Sequence, residues 1–154
     1  MSVLMMSSER PAETVALPAL LRAAWSTYRS AVRKALAGAG FDDLPRNGSY
    51  VLSAIAHGGA PLSDVIAHLG VSKQAAGQLV DTLVVRGYLE RAVDPSDRRR
   101  LVVSLTERGS AAAAVVRAAV DAVDVALETR VGAEHMTHIR WILAVLASLG
   151  GDHA

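Results

Sequence analysis

The chain contains no cysteine. Disulfides, thiolate metal sites and a thiol-based peroxide switch are excluded with it. Aromatic residues are scarce too, at 4% against 51% hydrophobic overall, and the apolar share is mainly alanine, valine and leucine. A β-sandwich draws on β-branched and aromatic side chains, so this mixture favours packed helices. Neither charge sign dominates, because 16 basic and 15 acidic residues leave a net charge of +1. Residues 1–61 carry six basic and four acidic side chains, 62–109 seven and six, and 110–154 three and five, so no segment is strongly basic. Any nucleic-acid footprint has to come from local clustering. The only run of three positive charges is Arg98-Arg99-Arg100.

Long apolar runs are also missing. The longest stretch without Asp, Glu, Lys or Arg runs from Asn47 to Ser63 and holds Asn47, His57, three glycines and Pro61, so it is no membrane span. The first thirteen residues lack a basic start followed by an apolar run, which argues against a secretory signal. A soluble, cytoplasmic protein of one domain is expected, its 154 residues long enough to bury a core. Catalytic constellations are lacking as well. There is no glycine-rich phosphate loop and no nucleophile elbow. His57 and His68 fall near helix C-termini, where an imidazole suits the local dipole without a catalytic task. His135 and His138, beside Glu134, are spaced to present metal ligands on a helix, but no second acid-rich cluster accompanies them. Neither enzyme activity, metal nor cofactor is expected.

What is present is helical periodicity. Residues 1–13 read as a flexible tail and 14–154 as one domain. Leu17, Leu20, Leu21, Ala24, Trp25, Tyr28, Val32 and Leu36 form one stripe at steps of three and four, predicting a first helix from Thr14 to about Ala37. Pro18 lies near its start, and Gly38 and Gly40 end it. Pro45 opens a second helix with Tyr50, Val51, Leu52, Ala54 and Ile55, stopped by Gly58-Gly59. A third follows, capped by Ser63, with Val65, Ile66 and Leu69 on its buried side.

The informative stretch is SDVIAHLGVSKQAAGQLVDTLVVRGY, Ser63 to Tyr88. A short helix ends at Leu69, Gly70 turns the chain, Val71 pins the turn, and Ser72 caps the next helix. Two short helices joined by so brief a glycine turn are the local signature of a helix-turn-helix. The second helix runs to about Arg86, with Gly87 after it. Ala75, Ala76, Leu79, Val80, Leu83 and Val84 form its apolar face; Lys73, Gln74, Gly77, Gln78, Asp81 and Thr82 lie opposite. That outer face is small and polar, suited to a major groove about 12 Å wide, where Gln74 and Gln78 can each pair with a base edge. An ordinary helical hairpin with a solvated face would read similarly in isolation.

The next stretch decides between them. Tyr88 to Val93 and Leu101 to Leu105 read as paired strands, with Asp94-Pro95-Ser96-Asp97 as turn chemistry between them. A hairpin with arginines at its tip, placed directly after such a helix, is a wing whose arm reaches the neighbouring minor groove. Thr106 caps the helix that follows. A protein-binding winged domain, the rival reading, would expose apolar anchors on that helix instead.

These residues carry a resemblance. From about Leu17 to Leu149 the sequence resembles the MarR family (multiple antibiotic resistance regulators). The family's wing pattern, Asp-x-Arg followed after five residues by Leu-Thr, stands here as Asp97, Arg99, Leu105 and Thr106, within DPSDRRRLVVSLTERG. The resemblance implies a mainly α fold with a small β-hairpin wing: a winged helix-turn-helix lobe at 45–105 between dimerisation helices at 14–40 and 106–150. It implies that Ser72, Lys73, Gln74, Gln78 and Thr82 face double-stranded DNA. Arg98, Arg99 and Arg100 would contact it from the wing, with Arg99 in the minor groove and Asp97 bracing the hairpin. Gly77 and Gln78 depart from the hydroxyl and arginine common there, so the operator stays open.

The C-terminal region is apolar beyond what a compact winged domain needs. Thr106 to Arg130 carries Val115, Val116, Ala119, Val120, Val123 and Leu127 on one side. Glu134 to Leu149 carries Met136, Ile139, Ile142, Leu143, Leu146 and Leu149 at helical spacing. A two-fold homodimer accounts for this surplus, and a near-palindromic DNA site follows from it. The resembling family interlocks its first and last helices and commonly binds small aromatic acids beside them. The corresponding candidates are Trp25, Tyr28, Arg29, Arg46 and Tyr50, although the stripe through Trp25 and Tyr28 also reads as plain core. A repressor released by such an effector is the expected function.

Overall fold

A computed structural model describes residues 14–57, 70–93 and 101–149. The expected tail, the helix from Ser63 and the wing tip lie outside those residues. Five helices and one two-stranded sheet are described: α1 (Leu17–Gly38), α2 (Gly48–Ala56), α3 (Lys73–Val85), β1 (Leu89–Val93), β2 (Leu101–Leu105), α4 (Glu107–Val131) and α5 (Ala133–Ser148). No helix among the described residues is long and apolar enough to cross a membrane.

Proline in the first turn starts α1, where its missing N–H costs nothing. The helix ends at Gly38, and Gly40 makes the stop. Gly40 takes φ +81°, its N–H reaches the Ala37 carbonyl, and the Phe41 N–H reaches Leu36, a Schellman closure. Phe41 is thereby turned back onto the core. Pro45 does not open α2. Its carbonyl accepts from the Gly48 N–H at 2.8 Å, forming a turn, and Asn47 sits in the left-handed region before the helix begins. Asparagine tolerates that conformation better than most side chains, so the helix start shifts to Gly48. Gly48 is buried, and a Cβ there would meet the Leu44 and Leu83 side chains at 3.1–3.2 Å.

The core joins the end of α1 to α2, α3, the hairpin root and the first half of α4. Its buried members are Leu36, Val51, Leu52, Val80, Leu83, Tyr88, Leu89, Ala112, Ala113 and Val116. Both α1 and α2 pack on α4, and α3 leads into β1. The strands pair antiparallel from Leu89↔Leu105 to Val93↔Leu101. Thr106 caps α4, accepting from the Gly109 N–H at 3.0 Å while its own hydroxyl donates to the Gly87 carbonyl at 2.5 Å. Sheet, turn and long helix therefore meet at one residue.

The rest of the apolar surface has no cover within the chain. Trp25 is 57% exposed, so the stripe of α1 is not simply core; only its C-terminal end is buried. On α5, Met136 is buried, whereas Ile139, Trp141, Ile142, Leu143, Val145, Leu146 and Leu149 are exposed, Trp141 by 66%.

Candidate nucleic-acid interface

The helix read as the recognition element is built by its two ends. Ahead of it Gly70 adopts φ +62°, and the Ser72 Oγ accepts from the Ala75 N–H at 3.2 Å. Behind it the chain closes as α1 does. Gly87, at φ +72°, donates to Val84, and the Tyr88 N–H reaches the Leu83 carbonyl at 2.9 Å. Tyr88 therefore belongs to the turn, and the strand starts one residue later than expected. Between these ends Ala76, Val80 and Leu83 are buried, while Leu79 and Val84 are half-buried. Ala75, expected on the apolar face, is exposed. It lies in the first turn, at the edge of the buried arc.

Lys73, Gln74, Gly77, Gln78 and Asp81 point outward and are exposed. Nothing lies within 4 Å of where a Cβ on Gly77 would sit, so that side of the helix is open. Thr82 is half-buried and donates its hydroxyl to the Gln78 carbonyl at 2.7 Å. Its lone pairs remain for an outside donor. The outward stripe ends at Val85, 86% exposed. Asp97, Arg98, Arg99 and Arg100 lie outside the described residues; the strands before and after them pair in register, and β1 follows the turn that ends α3.

Two polar clusters were not legible in the sequence. In the first, Tyr88 donates its hydroxyl to Asp43, and Arg108 reaches the same carboxylate at 2.9 Å. The Arg108 guanidinium also stacks 4.4 Å over the Tyr88 ring and donates to the Arg86 carbonyl at 2.9 Å. Arg86 in turn donates to the Asp43 backbone carbonyl. The cluster ties the loop after α1, the last turn of α3 and the first turn of α4 together. Burial and the bond to Asp43 push the Tyr88 phenol up to about 12. The bond from Tyr88, helped by Arg108 and Arg86, holds the Asp43 carboxyl below its usual value. In the second cluster Asp81 of α3 pairs with Arg91 of β1. Both pairings span ten or more positions with no local pattern to announce them.

The effector candidates are placed less coherently. Trp25 and Arg29 are exposed on α1, and Arg46 and Tyr50 are exposed at the start of α2. Tyr28 is half-buried, and its hydroxyl donates to Asp124 at 2.5 Å, which raises the phenol's pKa. Arg140 of α5 holds the other Asp124 oxygen at 2.6 Å, so Tyr28 is part of a bridge among α1, α4 and α5. An open hollow on α1 is lined by Ala23, Ser26, Thr27, Ser30 and Ala31, none of them a candidate. His135 and His138 meet edge to face, and no group of three or more metal-ligating side chains exists among the described residues.

Residues 42–100 match the sequence profile of the MarR family. The fold matches that of CouR from Rhodococcus jostii RHA1, solved with p-coumaroyl-CoA, at TM-score 0.68 and 28% identity over 90% of this chain and 96% of that one. Residues 42–100 therefore carry a MarR-family segment. Two further structures share the fold at lower identity. MepR of S. aureus, solved in complex with DNA, gives TM-score 0.69 and 18% identity over 87% of this chain and 98% of that one. MarR of E. coli in its apo form gives 0.61 and 21% over 86% and 96%. Among curated proteins no sequence matches the chain. The family match starts in the loop after α1, takes in α2, α3 and β1, and stops before β2, so it includes the outward polar helix.

Proposed function

We propose that this chain is a MarR-family regulator, sequence-specific, that binds double-stranded DNA as a homodimer. The observation that carries the reading is α3. It is capped by Ser72, backed by the core through Ala76, Val80 and Leu83, and presents Lys73, Gln74 and Gln78 to solvent. A rigidly backed helix with exposed amides is what a major groove can read, since glutamine pairs with adenine through two hydrogen bonds. The resemblance of the wing motif supports a minor-groove contact by Arg98, Arg99 and Arg100, with Asp97 as brace. The lobe comprises 45–105, flanked by dimerisation segments 14–40 and 106–150.

The exposed apolar surface of α5 and the outer half of α1 supports a two-fold partner, because an isologous dimer buries the same patch twice. Two copies of α3 related by that axis require a near-palindromic operator. CouR was solved with p-coumaroyl-CoA, which supports a small aromatic or phenolic effector here, taken up near Trp25, Tyr28, Arg29, Arg46 and Tyr50. Such a ligand changes the spacing of the two lobes and releases DNA, so the protein acts as a repressor.

Selection from a pool of random duplexes, followed by anisotropy titration, tests the reading. A near-palindromic motif is expected, with Gln74→Ala and Gln78→Ala relaxing its preference by roughly 1–3 kcal/mol per lost base contact. Binding to random DNA should change less. Failure of the parent protein to enrich any motif refutes the proposal.

A further inference from the structure

The DNA-binding lobe joins the dimerisation segments through the backbone at two places, the loop between α1 and α2 and the entry to α4. Asp43 lies in the first join and Arg108 just beyond the second, and together they grip the exit of α3. Arg108 reaches the Asp43 carboxylate and the Arg86 carbonyl at 2.9 Å each, and the Tyr88 hydroxyl at 3.2 Å. Tyr88 donates to the Asp43 carboxylate, and the Arg86 side chain donates to the Asp43 backbone carbonyl. Asp43 is the one acid of this cluster, set among two guanidiniums and a phenol. The Asp43 and Arg108 side chains are 41% and 42% exposed, so their ion pair contributes little to folding. Its effect is on direction. The core that includes Leu83, Tyr88 and Val116 holds the lobe against α4, but apolar burial is non-directional. Hydrogen bonds weaken steeply when bent or stretched, so five of them meeting at one corner fix an angle as well as a contact.

We propose that Asp43 and Arg108 are positioning residues that fix the pose of α3 on the dimerisation segments and so set which spacing of half-sites the dimer accepts. This rests on the reading of the protein as a DNA-binding dimer. Neither side chain needs to touch a base. One base pair inserted between half-sites moves one of them by about 3.4 Å and turns it by about 35°. A firmly held helix therefore engages one spacing well and its neighbours badly, whereas a helix that rocks at its C-terminal end accepts several. Loss of Asp43 does more than delete a bond, because it leaves the Arg86 and Arg108 guanidiniums together with no acid between them.

The test takes the motif that the full-length parent selects from random duplexes and moves its half-sites one and two base pairs closer or further apart. The parent should lose at least about tenfold in affinity at the first step, since several base contacts are misplaced at once. Asp43→Ala should cut that penalty to about threefold, the loss expected when a displaced pose is populated a third of the time. Tyr88→Phe, which fills the same core space, and Arg108→Lys, which keeps the charge but not the fork, should fall between the two. Asp43→Glu, which keeps the carboxylate, should restore the parent's penalty. Base preference within each half-site should match the parent in all four variants, and thermal melts establish that each is folded. A corner that only stabilises predicts a lower Tm with the parent's spacing penalty intact. That result, or a parent indifferent to spacing, overturns the inference while leaving the DNA-binding reading in place. A parent that enriches no motif overturns both.

Discussion

Gly109 offers the sharpest check on the packing that supports α3. It is buried in the first turn of α4, and a Cβ placed on it would lie 2.0 Å from the Tyr88 carbonyl oxygen and 3.3 Å from Leu105. The obstacle is backbone, so no rotamer change relieves it. That carbonyl also accepts from the Thr106 N–H at 3.2 Å, and the Gly109 N–H donates to the Thr106 hydroxyl. Gly109→Ala must therefore part α4 from the turn after α3. Overpacking of this severity costs about 3 kcal/mol, at the upper end for inserted methyl groups. Loss of the Thr106 cap adds about 1 kcal/mol. Alanine returns up to about 1 kcal/mol of helix propensity. The net loss is about 3 kcal/mol, a fall in Tm of roughly 6–12 °C for a chain of this size. Gly77 supplies the control, since nothing lies within 4 Å of its hypothetical Cβ. Gly77→Ala should stabilise by about 0.5–1 kcal/mol through propensity alone. Thermal melts followed by circular dichroism at one fixed protein concentration read both variants, with concentration held because a dimer's Tm depends on it. A Gly109→Ala protein as stable as the parent would refute the close approach of α4 to Tyr88.

Three further outcomes are expected. Trp141→Asp and Ile142→Asp, both on the exposed face of α5, should shift the protein from dimer to monomer in sedimentation at micromolar concentration; a parent already sedimenting as a 16.1 kDa monomer would contradict the dimer. The Asp43–Tyr88 bond should mark both limbs of the stability–pH curve. Asp43 is held below its ordinary 3.8, so its contribution is complete above about pH 4 and is lost as pH falls through the lowered folded value. Tyr88 is raised from 10.0 to about 12, so its contribution holds below pH 10 and is lost between there and 12. Asp43→Asn should flatten the acid limb and Tyr88→Phe the alkaline one, read as melts across pH. Arg99→Ala should reduce the dependence of log K on log salt by up to about two units per dimer. Asp97→Ala should also weaken binding although it removes a negative charge, and tighter binding would refute its role as a brace.

Local signals in the chain were strong wherever a short segment decides its own conformation. Ser72 and Thr106 cap helices because a hydroxyl at that position meets an orphan N–H three residues on, and both do so here. Gly40 and Gly87 end helices because the left-handed turn they adopt is cheap without a Cβ. The Val- and Leu-rich segment from Leu101 to Leu105 pairs with Leu89 to Val93 as the hairpin its composition suggests. Pro45 misled because a proline marks a helix start and a turn equally well, and only the Gly48 N–H, bonded to the Pro45 carbonyl, distinguishes them. The outward amides Gln74 and Gln78 were likewise readable from periodicity.

Tertiary structure alone decided the contacts between segments distant in sequence. Asp43, Arg86, Tyr88 and Arg108 meet because three chain turns converge on one corner, and nothing in the residues around Asp43 announces a partner 65 positions away. Asp81 read as one polar residue on an outer face until the strand beginning at Leu89 brought Arg91 across to it. Trp25 and Tyr28 share a helical stripe, yet one is exposed and the other is hydrogen-bonded to Asp124. Periodicity specifies which side of a helix is apolar. It does not specify whether the surface meeting that side belongs to the same chain, because burial depends on how far neighbouring helices extend. Here α4 covers the end of α1, and the outer half of α1 and most of α5 are left uncovered.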